Sequence, residues 1–258
     1  MRTLIIKTSS LGDVLHTLPA VSDAAAQYPG MRFDWVVEEA VAEVPGWHAA
    51  VDEVIPVALR RWRHRPFHML RLGEPQAAVR HIRQREYDQV IDAQGLMKSA
   101  VMTRLARGPR AGLDRHSARE ALSAFACDRR IPVARNQHAV TRVRQLFAAA
   151  LDYPLPDTAA DYGIQANFIA GQRQPYLVFL HGTTWPTKHW PEPYWVQLTA
   201  MASAAGLRVK IPWGNKAEHQ RAERIASASG AVEVLPRMTL SELAAVIVSA
   251  TAVVGVDT

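Results

Sequence analysis

Short apolar runs and amphipathic stretches alternate along almost the whole chain. Apolar and β-branched runs bounded by polar or turn residues predict strands at 3–7, 33–37, 53–57, 89–92, 176–181, 208–212, 232–235 and 252–256. Between them, apolar positions spaced by three and four predict helices at 14–27, 75–85, 96–107, 194–205, 217–229 and 241–249. Strands interleaved with helices imply βαβ units and parallel sheets. The alternation breaks from 152 to 175, a segment rich in Pro, Gly and polar residues, and restarts with an apolar run that leads into His181 and Gly182. This pattern predicts two α/β domains, 1–160 and 161–258, with a cleft between them. Four strands fall in the second half, and the sequence stops where the last of them ends. The second domain is therefore expected to be incomplete at its C-terminus, and the chain as written to be inactive or unstable without the remainder.

Composition narrows the class. The chain has 258 residues, 48% of them apolar, which suits packed cores and argues against disorder. Its one cysteine, Cys127, excludes an internal disulfide framework and a Cys-based zinc cluster, and fits a reducing compartment. Lys7 and Asp13 interrupt the first apolar stretch, so it is no secretory leader, and the apolar run 243–256 is too short to span a bilayer. A soluble, cytoplasmic protein is expected. The formal charge is +6, and eight Arg stand between positions 60 and 85 against one carboxylate, Glu74. Guanidinium groups match phosphate and carboxylate in a planar fork, so an anionic partner is expected. Metal-binding His pairs, a Gly-x-Ser-x-Gly elbow and a Walker loop are absent from the sequence.

The richest segment is 7–19, with Ser9, Ser10, Gly12 and Asp13 between the first strand and the first helix. Open α/β sheets bind ligands at such strand-to-helix turns. Asp13 suits either a helix cap or a catalytic carboxylate there. A second turn, after the strand at 89–92, carries Asp92, Gln94 and Lys98, for which turn formation and a place in the cleft are equally good readings. In the second half, Gly182, Thr183, Thr184 and Lys188 precede a helix and could hold a diphosphate or only cap that helix. Glu218 could accept ribose hydroxyls or lie on the surface, and Met238 could pack on a base or fill space. Arg119 is a further candidate anion ligand.

Together these segments resemble glycosyltransferase family 9, the lipopolysaccharide heptosyltransferases. The resemblance rests on 7–19, on 33–39, on Arg60-Arg61-Trp62-Arg63, on Asp92-Ala93-Gln94-Gly95, on 181–191 and on Val256-Asp257-Thr258, in order along the chain. It implies the GT-B fold: two Rossmann-like domains, the first binding the acceptor and the second the nucleotide sugar. It implies inverting transfer of L-glycero-D-manno-heptose from ADP-heptose to the Kdo of Kdo–lipid A, with no cofactor and no obligatory metal. By that resemblance Asp13 is the general base. Thr183, Thr184, Lys188, Glu218, Met238, Asp257 and Thr258 serve the donor, and Ser9, Ser10, Gly12, Arg60, Arg61, Arg63 and Arg119 serve the acceptor. A lipid acceptor further implies a peripheral place on the cytoplasmic face of the inner membrane, with positive charge near 60–85 helping, and no nucleic-acid partner. Two alternatives stand beside this reading. One is an enzyme of the heptosyltransferase II or III type; the other is a non-catalytic α/β module that binds an anionic glycolipid.

Overall fold

A computed structural model describes residues 1–64, 73–168 and 174–256. The chain forms two compact units, Met1–Gln165 and Ala166–Thr258.

In the first unit, strands β1 (Arg2–Ile6), β2 (Arg32–Glu38), β3 (Val51–Val57), β4 (Gln89–Asp92), β5 (Arg110–Leu113) and β6 (Arg129–Ile131) form one sheet. Their order is β3-β2-β1-β4-β5-β6, and every pairing is parallel. Successive residues of β1 face opposite sides of the sheet. Leu4 and Ile6 join Val36, Ile55, Ile82, Val90 and Met102 in one core cluster. On the other face the rings of Phe33 and Phe147 lie 6.5 Å apart. Burial on both faces explains the near-continuous apolar runs in the central strands.

The helices of this unit are α1 (Leu11–Leu15), α2 (Leu18–Gln27), α3 (Leu59–His64), α4 (Glu74–Arg83), α5 (Met97–Leu105) and α6 (Ala139–Ala150). The single helix expected at 14–27 is two. Thr17 precedes α2, its hydroxyl donating back to the Asp13 carbonyl at 2.9 Å, and Pro19 stands in the first turn of α2, where a missing N–H costs nothing. Arg144 on α6 pairs with Asp23 at 2.6 Å and donates to the carbonyls of Pro156 and Thr158. These bonds tie the irregular segment after α6 to the first unit.

The second unit holds β7 (Gln174–Leu180), β8 (Arg208–Ile211), β9 (Val232–Val234) and β10 (Ala250–Gly255) in the parallel order β10-β7-β8-β9. Helices α7 (Glu192–Ala204), α8 (Lys216–Ala226) and α9 (Leu240–Ser249) connect them. Phe179, Trp195, Val209, Ile211 and Ile225 form the core on one face. Tyr176, Val178 and Ala250 pack with Val246 and Ile247 on the other.

All eight expected strands are present, but β5, β6, α3 and α6 were not anticipated. β5 and β6 have four and three residues and begin with Arg, so neither shows a period of apolar positions.

Candidate active site

In an open parallel sheet, the crevice lies beyond the strand C-termini where the strand order reverses. In the first unit that point falls between β1 and β4, so the turns after these two strands face each other. Gln94 locks them together: its side-chain oxygen accepts from the backbone N–H of Thr8 at 3.0 Å and of Ser9 at 3.2 Å. Asp92, fully enclosed, holds its own turn by accepting from the N–H groups of Gln94 and Gly95 and from the Ser99 hydroxyl. Burial raises its carboxyl above the usual range, against the pull of those three bonds. Lys98 reaches back to donate to the Ser9 hydroxyl at 2.8 Å. Its ammonium is lowered mainly by burial, with Arg60 and Arg119 also acting in that direction.

Asp13 stands in the first turn of α1. Its Oδ2 accepts from the Ser10 N–H at 3.0 Å and from the Ser10 hydroxyl at 3.1 Å, so the carboxylate closes its own cap. Among the described residues no bond is made to Oδ1. Asp13 is half-buried and borders a cavity of about 310 Å³. Lys7, Gln94, Arg119, Arg135 and Arg142 border the same cavity. Lys7 is buried, donates to the Ala93 carbonyl at 3.0 Å, and has its ammonium lowered by burial against the attraction of Asp13 and Asp92. Arg142 is oriented by a 2.8 Å bond to the Ser117 carbonyl, and Arg135 by one to the Ala118 carbonyl. One carboxylate in a ring of cations suits an acceptor that is itself anionic and must lose a proton.

The sequence reading missed Arg135 and Arg142. The signal for Arg142 was present: positions 139, 142, 143 and 146 share the wall of this cavity at helical spacing. The three arginines of α3 are not equivalent. Arg61 is held by Glu39 at 3.0 Å and by Glu74 at 2.9 Å, and both partners hold its charge in place. Arg60 and Arg63 are exposed, and the Arg60 backbone N–H donates to Glu38. Gly12 has open space where a Cβ would sit.

In the second unit the corresponding reversal lies between β7 and β10. The turn after β7 carries Thr183 and Thr184, and Thr183 Oγ1 lies 3.5 Å from the Trp185 N–H. A cavity of about 490 Å³ is bordered by Thr187, Lys188, His189 and Trp190 on one side and by Val254 to Val256 on the other. Glu218 lies beside this turn. Its Oε2 accepts from the Gly214 N–H at 2.7 Å, and its Cδ would lie 2.9 Å from a Cβ placed on Gly182. The glycine therefore admits the carboxylate. Trp213 donates to the Leu235 carbonyl at 2.7 Å, joining the turns after β8 and β9, and Met238 is half-buried in the latter. His181 is buried, and its imidazole is lowered by burial first and by Arg221 second. Asp257 and Thr258 lie outside the described residues.

Among the described residues, no group of three or more His, Cys, Asp or Glu is placed to hold a metal ion. No described helix is long and apolar enough to cross a membrane.

The profile of glycosyltransferase family 9 (heptosyltransferase) matches residues 76–258. Lipopolysaccharide heptosyltransferase 1 of Pseudomonas aeruginosa is 54% identical over 261 positions, covering 100% of this chain and 74% of that protein. The solved structure of Escherichia coli heptosyltransferase WaaC with ADP-2-deoxy-2-fluoro heptose superposes with a TM-score of 0.95 at 49% identity, over 100% of this chain and 83% of that one. The structure of Escherichia coli ADP-heptose lps heptosyltransferase II shares the fold, with a TM-score of 0.76 at 19% identity, over 100% of this chain and 80% of that one. The fold class is α/β, of the GT-B kind.

Proposed function

The chain belongs to glycosyltransferase family 9, the heptosyltransferases, and on that premise we propose that it moves L-glycero-D-manno-heptose from ADP-heptose to the Kdo of Kdo–lipid A. It is a glycosyltransferase. The observation that carries the acceptor half is the Asp13 carboxylate, set at the crevice of the first sheet in a cavity bordered by Lys7, Arg119, Arg135 and Arg142. A Kdo sugar bears a carboxylate, which such a ring of cations attracts and orients.

The reaction is a single displacement. The acceptor hydroxyl oxygen bonds to the anomeric carbon as the bond from that carbon to the diphosphate breaks. ADP leaves with the bonding pair, and the hydroxyl proton passes to Asp13. Configuration at the anomeric carbon inverts. Ser9, Ser10 and Gly12 shape the acceptor side of the turn, with Ser10 fixing the orientation of the carboxylate. Arg60, Arg63 and Arg119 meet the acceptor's remaining anionic groups, and Arg61 braces α3 between Glu39 and Glu74.

In the second unit, Thr183, Thr184 and Lys188 stabilise the charge that grows on the departing diphosphate, by hydroxyl and ammonium contacts and without a metal. Glu218 receives the ribose hydroxyls, Met238 packs near the adenine, and Asp257 and Thr258 serve the heptose. The first unit is thus the acceptor domain and the second the nucleotide-sugar domain. The enzyme works at the cytoplasmic face of the inner membrane, where a lipid acceptor presents its sugar. The test is transfer from ADP-heptose to Kdo–lipid A, with the product's mass and anomeric configuration read directly. A product of unchanged mass, or retained configuration, defeats the proposal.

A further inference from the structure

The first unit carries an apolar surface that the chemistry above does not use. Met97 and Val101 on α5, with Leu122 and Phe125 on the turn Ala121–Ala126, are 45%, 58%, 64% and 63% exposed. They border one open groove of about 380 Å³, with Arg104 on its rim. The guanidinium of Arg130 lies over the Phe125 ring, 5.2 Å from its centre. Contiguous exposed apolar side chains of this size mark an interaction surface.

The charges around the groove say what kind of surface it meets. Between 97 and 130 there are eight Lys and Arg against three carboxylates. Two of those carboxylates are engaged inside the protein. Glu120 accepts from the Met97 N–H at 2.5 Å, and Asp128 pairs with Arg110 at 2.9 Å while also feeling Arg104. Arg110 is taken by Asp128 and Arg129 by Asp152 at 2.7 Å, so the cations left beside the apolar groove are Arg104 and Arg130. Chain neighbours of the groove residues belong to the acceptor crevice. Met97 precedes Lys98, which donates to Ser9, and Glu120 follows Arg119, which borders the Asp13 cavity.

We propose that this face, Met97, Val101, Leu122 and Phe125 with Arg104 and Arg130, is where the enzyme seats on an anionic lipid bilayer. The inference rests on the reading of the acceptor as a lipid. The four apolar side chains enter the interfacial region while the two guanidiniums meet lipid phosphates, the combination that lets a peripheral protein hold a membrane without spanning it. The contact assigns the membrane to the α5 face; in the 60–85 segment, Arg61 and Arg85 are paired with Glu39, Glu74, Asp34 and Glu53.

The test is co-sedimentation of the protein with vesicles of phosphatidylethanolamine and phosphatidylglycerol, and with vesicles of phosphatidylcholine alone. The wild-type protein binds the anionic vesicles, and binding weakens as salt is raised. The double variant Leu122→Ser/Phe125→Ser loses about tenfold or more in partitioning, because two large side chains no longer leave water. Arg104→Ala/Arg130→Ala loses binding to the anionic vesicles and with it the salt dependence. Because all four positions are exposed, each variant keeps its circular dichroism spectrum and melting temperature. Transfer to a water-soluble Kdo glycoside is measured alongside: it is unchanged in both variants if this surface only docks, and it is absent from the wild type if the acceptor reading is wrong. Equal vesicle binding by wild type and both variants overturns the proposal. So does a concentration-dependent dimer that Leu122→Ser/Phe125→Ser abolishes, since the groove would then seat a second copy of the chain.

Discussion

Gln94 makes the first sharp prediction, because one side-chain oxygen holds the turn that carries Asp13. Gln94→Leu keeps the size of the side chain and removes the acceptor for the N–H groups of Thr8 and Ser9, at 3.0 and 3.2 Å. Thr8 is fully buried, so its N–H is left without a partner, whereas the half-buried Ser9 reaches water. An unpaired buried donor costs about 1–3 kcal/mol, and the second lost bond adds about 1, for a total of about 2–4 kcal/mol. In a unit of this size that lowers the melting temperature by about 4–16 °C. The turn also loosens around Ser10 and Asp13, so kcat falls while the KM for ADP-heptose stays within about twofold. Gln94→Glu separates the two effects. It keeps an acceptor at the same place and keeps the melting temperature, but adds a negative charge to the cavity that Asp13 borders. A negative charge there repels the anionic acceptor, so the KM for Kdo–lipid A rises. Calorimetry and steady-state kinetics check both. A Gln94→Leu enzyme with native melting temperature and native kcat refutes the argument.

Gly182→Ala places a Cβ 2.9 Å from Glu218 Cδ, so the carboxylate swings away from the Gly214 N–H. ADP affinity should fall about 10-fold or more by isothermal titration, as when a bond to a charged group is lost, with little change in melting temperature. Gly112→Ala brings a Cβ to 2.5 Å from the sulfur of buried Cys127 and should destabilise by about 1–3 kcal/mol in urea. Adding Cys127→Ala should restore most of that stability. His181 has its imidazole lowered by burial, so below its ordinary value of 6.5 the unfolded chain binds a proton that the folded one resists. Stability therefore rises with pH across that window, by up to about 1.4 kcal/mol per pH unit. The melting temperature should fall from pH 7 to pH 5, and by less in His181→Gln.

Eight of the ten described strands were legible because burial on two faces writes long apolar runs, and the turns at 7–13, 92–98 and 181–188 were legible because Gly, Ser, Thr and Asp cluster there. What escaped was written in few residues or in residues far apart. β5 and β6 gain their place from pairing with β4 and with each other, not from their own sequence. Arg135 and Arg142 become cavity residues only because α6 packs beside β5 and β6. The Arg-rich run at 60–63 looked uniform, yet Arg61 meets Glu39, 22 residues before it, a pairing that depends on the end of β2 meeting the start of α3. Local pattern encodes elements and turns, while the division of charges between structural pairing and ligand binding is decided by tertiary contact.

The central claim is that the Asp13 carboxylate takes the acceptor proton, and Asp13→Asn tests it most directly. Asparagine can keep the cap, since its side-chain oxygen still accepts from Ser10, but it cannot accept the proton. Single-turnover transfer from ADP-heptose to Kdo–lipid A should slow by about 10²–10⁴-fold, the range for loss of a positioned base. ADP affinity and melting temperature should stay at wild-type values. An Asp13→Asn enzyme that transfers heptose at the wild-type rate contradicts the account.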